Sequence, residues 1–540
     1  MAVFLYAIKG IEGGCMETTE AIVKYHGSLD VLVGMGVQVE ELYGGFAILT
    51  LLPSQVEIVR NLEEIEYLEL PSRFYYEQIS FASESCFYGE SASLDGSGVL
   101  LAILDSGIQL DHPEFLNDTG LTRVRFLYDV EAQRVWSAEE INRLLAQGET
   151  NLPGEDVSGH GTAVAGIAAG RTMGPANGAD LLIVKLSGSG TDGFPGTTAI
   201  MRGATFAMDK ALELEMPLVM NISFGNTYGA HNGSSILEQY LDTLAQRGRT
   251  GIVVGTGNEG NTAGHAYIRG IGEEAVSFFV GNYEQSLSVQ IWYPGEDTYD
   301  FLLVGPDGSS RSLPQEISGG RYLVDYPGNY VYVNYHDATP YRTQKELYLE
   351  LFGDEEFISP GEWQIFVRET ERKVGGVNFY LPSQEGRSTQ TRFLNASPLC
   401  TITIPATASR VISVGAYDGR YDSYAPFSGR GYVLTDASQG AVYSVKPDIA
   451  APGVSVLAPG IYGETVRVTG TSFATPIVSA AAALLLQAGI VEGRDRNLYG
   501  EKLKALLRKN AVGTNGTLLP DDKIGFGFLC VESAMREVGV

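Results

Sequence analysis

Apolar residues follow three different rhythms along this chain, and each rhythm predicts a different kind of element. From Val99 to Leu104 the run is continuously apolar, as in a parallel strand buried on both faces, and it stops abruptly at Asp105. Leu218–Met220, Gly251–Val254 and Val411–Val414 repeat that pattern. Two stretches of small apolar residues, Ala163–Ala169 and Ile477–Leu486, predict helices able to pack close to a sheet. Strands alternating with such helices predict an α/β fold, a doubly wound and mostly parallel sheet. Between residues 272 and 392 the rhythm changes to alternation. Leu287, Val289, Ile291 and Tyr293 form one such run, Leu347, Leu349 and Leu351 another, and turn signals such as Pro306-Asp307-Gly308 separate the runs. An inserted antiparallel β-sandwich of jelly-roll type is expected there.

The first part of the chain reads differently again. Val3–Ile8 predicts a strand, Glu17–Tyr25 a helix, Val37–Leu42 and Gly45–Leu51 two strands, Gln55–Asn61 a helix and Ile65–Leu70 a strand. This βαββαβ order predicts a small split-βαβ module. The expected organisation is therefore an N-terminal module over 1–82, the α/β domain over 83–271 and 393–540, and the sandwich over 272–392.

Chemistry enters at the boundaries of these elements. Asp105 stands at the carboxyl end of a predicted parallel strand, the edge where ligand sites form in open α/β sheets. His160, flanked by Gly159 and Gly161, opens the first small-residue helix, and Ser472, after Gly470-Thr471, opens the second. A serine in the first turn of a helix lies beside unpaired backbone N–H groups and the positive end of the helix dipole, which can stabilise an oxyanion. Asp, His and Ser in that order suit acyl transfer: Ser472 attacks, His160 moves the proton and Asp105 fixes the histidine.

These motifs resemble those of the subtilase family of serine endopeptidases. Asp105-Ser106-Gly107, His160-Gly161-Thr162 and Gly470-Thr471-Ser472 match its three catalytic segments, and Gly255-Thr256-Gly257-Asn258 resembles the segment that supplies its oxyanion-hole asparagine. Ser223-Phe224-Gly225 resembles the strand that pairs with substrate backbone, a use of free strand-edge groups. The resemblance implies a substrate-binding set of Ser223, Phe224, Gly225, Gly255, Thr256 and Gly257 around a pocket without fixed charge. It also implies that the N-terminal module is a propeptide that chaperones folding, blocks the site, and is cut off by the enzyme itself. The cut is expected between Tyr75 and Tyr88, with Gln78 and Ala82 as candidate P1 residues.

The insert, the segment from Ala230 to Glu238 and Ile404-Pro405-Ala406-Thr407 are similar to Csp-type subtilases of clostridia. In that group an active member processes the precursor of a spore cortex hydrolase during germination, and inactive relatives act as regulators. The intact set of Asp105, His160 and Ser472 favours an endopeptidase that retains its own propeptide as a partner, and a protease-like regulatory protein is the alternative. For the insert, a rigid brace packed on the catalytic domain and a module that binds substrate or a cell-surface glycan are the alternatives.

Charge and composition restrict the partners. With 37 basic and 65 acidic residues, a formal net charge of −28 disfavours nucleic acid, leaving a protein or peptide substrate. Cys15, Cys86, Cys400 and Cys530 show neither zinc spacing nor a disulfide framework. No cofactor and no metal are expected, although Asp111 and Glu114 near the Asp105 strand have the chemistry to ligate calcium. Ile477–Leu486 is too short to span a bilayer, and the N-terminus lacks the pattern of a secretory signal, so no membrane and a cytoplasmic or spore-associated location are expected.

Overall fold

The computed structural model describes residues 18–72, 75–76, 94–186, 195–314, 321–435, 442–513 and 518–540. A nine-stranded sheet forms its centre, in the order Ser423–Tyr424, Ile412–Asp418, Thr250–Gly255, Leu218–Ile222, Leu100–Asp105, Asp180–Lys185, Val124–Asp129 and Arg134–Ser137, with Ile449–Pro452 also pairing with Ile412–Asp418. Only Ser423–Tyr424 and Arg134–Ser137 run antiparallel to their neighbours. The continuous apolar runs are explained by helices on both faces. Leu101, Ile103, Val219 and Val253 pack with the helices His160–Ala169 and Thr471–Leu486, whereas Leu100, Ala102, Leu104, Met220 and Ile252 pack with Thr197–Glu213 and Ile236–Leu244. Leu104 pairs with Ile222, and Ile222 with Val254, so Asp105, Ser223 and Gly255 leave the sheet at one edge.

The helix that begins at Thr471 is longer than the sequence suggested. It runs on through a π-helical turn to Val491, giving 21 residues, long and apolar enough to cross a membrane. Its most apolar stretch is 94 % buried in the protein, so that apolarity serves core packing.

The N-terminal module is a four-stranded antiparallel sheet in the order Gln38–Glu41, Phe46–Leu51, Thr19–Tyr25, Ile65–Glu69, with short helices at Asp30–Gly34 and Val56–Arg60. Here one expectation fails. Residues 19–25 form a strand, where a helix was expected over Glu17–Tyr25. The cause is burial on both faces: Ala21 and Val23 join the module's own core, and Ile22 between them packs with the catalytic domain, so the strand shows no alternation. The βαββαβ order survives, shifted along the chain, and the expected strand Val3–Ile8 lies outside the described residues.

Two antiparallel sheets make the insert. One has six strands, from His265–Ile268 through Val377–Tyr380, Ser286–Pro294, Gln344–Gly353 and Asn329–His336 to Arg321–Tyr326; the other has five, in the order Ser310–Ser312, Thr298–Val304, Gly361–Glu371, Glu273–Val280, Arg392–Phe393. Leu287, Val289, Ile291, Leu347, Leu349, Leu351, Ile365 and Val367 meet between them, which is the reason for the period-two alternation. Pairing begins at His265, ahead of the expected boundary.

Candidate active site

Asp105 ends its strand, His160 begins its helix, and both are fully buried. His160 Nδ1 lies 2.7 Å from Asp105 Oδ1, an oxygen that also accepts from the Ser106 N–H at 2.8 Å. The neighbouring glycines permit this approach. A Cβ on Gly161 would stand 2.3 Å from the Gly107 carbonyl oxygen and 3.1 Å from Asp105 Cβ, and Gly159 turns the chain into the helix with φ of 74°.

Ser472 is the second residue of the helix Thr471–Leu486, which packs beside the His160 helix; the rings of His160 and Phe473 are 5.4 Å apart. Its hydroxyl donates to the Ser223 carbonyl at 2.7 Å, and its own carbonyl accepts from the Ser223 hydroxyl at 3.0 Å. Asn258 is tied to the same turn, its Oδ1 accepting the Thr471 N–H at 3.0 Å. Asn258 Nδ2 is buried without a hydrogen-bond partner among the described residues. An unmade bond of that kind costs about 1–3 kcal/mol, and an oxygen arriving with a ligand would recover it.

Residues 96–312 and 390–527 match the Subtilase family, and residues 13–72 match the Csp protease B prodomain. The chain belongs to the subtilase family. It is similar to the CspB protease of Clostridium perfringens, with 34 % identity and a TM-score of 0.78 over 83 % of this chain and 94 % of that one. Subtilisin-like protease 1 of Pseudogymnoascus destructans is 31 % identical over 46 % of this chain and 56 % of its own length. Minor extracellular protease Vpr of Bacillus subtilis is 23 % identical over 82 % of this chain and 52 % of its own. The chain thus spans about half the length of these two curated relatives.

In this subtilase the strand Phe224–Gly225 has a partner: Tyr75–Tyr76 pairs with it antiparallel, Tyr76 opposite Phe224 and Tyr75 opposite Gly225. Just upstream, the Thr197 N–H donates to the Ser72 carbonyl at 2.7 Å. Arg202 holds the prodomain through Glu20 and Glu40, both at 2.7 Å. The remainder of the expected tail, Gln78, Ala82 and Tyr88 included, lies outside the described residues.

The residues expected to line a pocket divide by role. A Cβ on Gly255 would come within 2.9 Å of Thr475 Oγ1, and one on Gly225 within 2.4 Å of Thr403 Oγ1, so these glycines make room for the protein's own threonines. Thr256 and Phe224 are buried, the Thr256 hydroxyl lying 3.4 Å from Ser428, and Ser223 is tied beneath Ser472. Gly257 supplies a left-handed turn, φ 85°, and its N–H donates to the Thr471 hydroxyl at 3.1 Å. Together they shape the site mainly through backbone and packing.

Two acidic residues escaped the sequence reading. Asp156, buried, bridges Ser106 to the His160 helix: Oδ1 accepts from the Ser106 hydroxyl at 2.7 Å and the Gly159 N–H at 2.9 Å, and Oδ2 from the Thr162 N–H at 2.8 Å. Glu259, beside Asn258, is the second. Asp111 and Glu114 do not share a ligand: Glu114 Oε2 accepts the Thr172 N–H at 2.8 Å and Asp111 accepts from Gln109. Among the described residues, no cluster of three or more His, Cys, Asp or Glu side chains could hold a metal ion. Cys400 and Cys530 form no disulfide, and burial pushes the Cys400 thiol up to about 11.

Proposed function

We propose that this subtilase is an endopeptidase that works through Ser472, His160, Asp105 and Asn258 and processes its own prodomain. Ser472 turns from the Ser223 carbonyl toward His160 Nε2, gives up its proton there and attacks a peptide carbonyl. Asp105, bonded to Nδ1, fixes the tautomer and stabilises the imidazolium. Asn258 Nδ2 and the Ser472 N–H bind the oxyanion. His160 then protonates the leaving amine, and a water deprotonated by the same residue releases the acyl group. The observation that carries this reading is the buried 2.7 Å His160–Asp105 bond beside the first turn bearing Ser472.

Substrates are extended peptide segments added to Phe224–Gly225, as Tyr75–Tyr76 is. Physiologically, the similarity to Csp proteins supports cleavage of a precursor protein, such as that of a spore cortex hydrolase, at a cytoplasmic or spore-associated location. The occupied strand also favours a second reading, a regulatory protein whose prodomain never leaves. Mass spectrometry of the purified chain separates the two. Two fragments from the wild type and one intact Ser472→Ala chain are expected; intact chains from both would favour the regulator.

A further inference from the structure

The loop that carries Asn258 is gripped from outside the catalytic domain. Glu259, 4 % exposed, points its carboxylate toward the segment between the insert strands Val377–Tyr380 and Arg392–Phe393, which links the two sheets of the sandwich. Its Oε1 accepts the Gln384 N–H at 3.0 Å, its Oε2 accepts the Thr262 hydroxyl at 2.6 Å, and Arg387 Nη2 stands 3.8 Å from Oε2. The Arg387 side chain has no exposure to solvent. Its guanidinium donates from Nε to the Pro382 carbonyl at 2.8 Å, from Nη1 to the Thr391 carbonyl, and from Nη2 to the Thr262 carbonyl at 3.2 Å. It thereby joins that linking segment to the Thr262 end of the loop bearing Asn258. Glycine at 264 gives the guanidinium room, since a Cβ there would lie 2.9 Å from Arg387 Nη2.

We propose that Glu259, Gln384 and Arg387 form a clasp by which the insert fixes the loop bearing Asn258, so that Glu259 and Arg387 are positioning residues for oxyanion binding; this rests on the oxyanion role given to Asn258 above. The physical need is directional. Asn258 Oδ1 is anchored on Thr471, and where its unpartnered Nδ2 points depends on the backbone that follows. Backbone bonds hold that loop from the catalytic side, from the Gly260 N–H to the Phe427 carbonyl at 2.8 Å and from the Gly429 N–H to the Gly257 carbonyl at 2.7 Å. Glu259 closes the opposite side. The buried Glu259 carboxylate resists displacement, because moving it strips its charge of the Gln384 and Thr262 donors and of the nearby Arg387 guanidinium. An oxyanion donor contributes only if it is already aimed when charge develops, so a loosened loop reduces kcat while leaving ground-state binding alone.

The test uses the full, self-cleaved chain with a peptide p-nitroanilide as substrate and a peptide boronate as tetrahedral mimic. Glu259→Gln is expected to lower kcat about tenfold to a hundredfold with KM within about twofold, and to weaken boronate binding by the same factor as kcat/KM. In an Asn258→Ala background the same substitution should produce no further fall in kcat. Gln384→Pro removes the N–H that Glu259 accepts, and with it the side-chain bond to the Arg387 carbonyl at 3.3 Å, while leaving both buried charges, and Ser383, with φ −51° and ψ 151°, already suits a following proline. It should show a smaller shift of the same kind, and it keeps the test available if Glu259→Gln does not fold. Unchanged kcat in a folded variant, a raised KM at constant kcat, or an undiminished fall in the Asn258→Ala background would overturn the clasp. If Asn258→Ala alone leaves kcat intact, the oxyanion assignment itself fails; if only the Glu259 and Gln384 variants are silent, the clasp alone fails.

Discussion

Asp156 accepts from five donors: the hydroxyls of Ser106 and Ser158 and the Gly159 N–H on Oδ1, and the N–H and hydroxyl of Thr162 on Oδ2. The Ser106 hydroxyl in turn accepts the Gly161 N–H at 2.9 Å, and the Ser106 N–H donates to Asp105, so one carboxylate couples both partners of the His160–Asp105 bond. Asp156→Asn would turn an N–H toward a group that itself donates. A stability loss of about 2–4 kcal/mol is expected in urea unfolding, because a donor is left unmet in a buried network. Activity should fall with it, while Asp156→Glu should recover less of either because the longer side chain does not fit the same five donors. In sequence, Asp105, His160 and Ser472 were legible because each stands where an apolar run meets glycine. Asp156 was not, since an aspartate shortly before a helix reads as an ordinary turn former. Glu259 escaped for another reason: its partners Gln384 and Arg387 lie beyond most of the insert, where no local pattern connects them.

Among the elements, the strand pairing of Tyr75–Tyr76 with Phe224–Gly225 carries the most functional information. Ser223, the residue before Phe224 on the paired strand, is the one whose carbonyl accepts the Ser472 hydroxyl. Self-cleavage is therefore expected one or two residues beyond Tyr76, after Glu77 or Gln78 and not after Ala82. N-terminal sequencing of the catalytic fragment checks this, and a fragment beginning at Ser83 would mean that the strand shifts before cleavage. A cut after Gln78 agrees with a neutral pocket; a cut after Glu77 would require a cation near it. Parallel strands and sandwich strands were readable from their periods because each presents a consistent environment along its length. The strand Thr19–Tyr25 was misread because two domains share its faces, a property of the assembled molecule that no local window contains.

For the whole molecule, the seam between catalytic domain and insert has its own pH response. Tyr380 of the insert is stacked between two histidines, His231 with centroids 4.0 Å away and His265 at 4.7 Å. His231 faces the Ile402 carbonyl at 2.6 Å and the Thr227 carbonyl at 3.0 Å, yet a neutral imidazole has only one N–H to give. Burial holds both rings below their ordinary range. His265 is lowered from 6.5 to about 4, chiefly by desolvation and further by the neighbouring His231, against opposing bonds to Asn378 and Ser397. The unfolded chain therefore binds more protons than the folded one between these values, and stability falls as pH drops from 6.5 toward 4. At about 1.4 kcal/mol per unit, His265 alone accounts for a loss of roughly 3 kcal/mol across that window, fully regained above pH 6.5. Carboxylates titrate in the same range, so the decisive quantity is a difference. Urea unfolding of wild type and His265→Gln at pH 7.5 and 4.5 should show the variant less stable than wild type at the higher pH and closing the gap, or overtaking, at the lower one. An equal difference at both values would mean that His265 does not titrate with folding, and that the seam derives its acid sensitivity elsewhere.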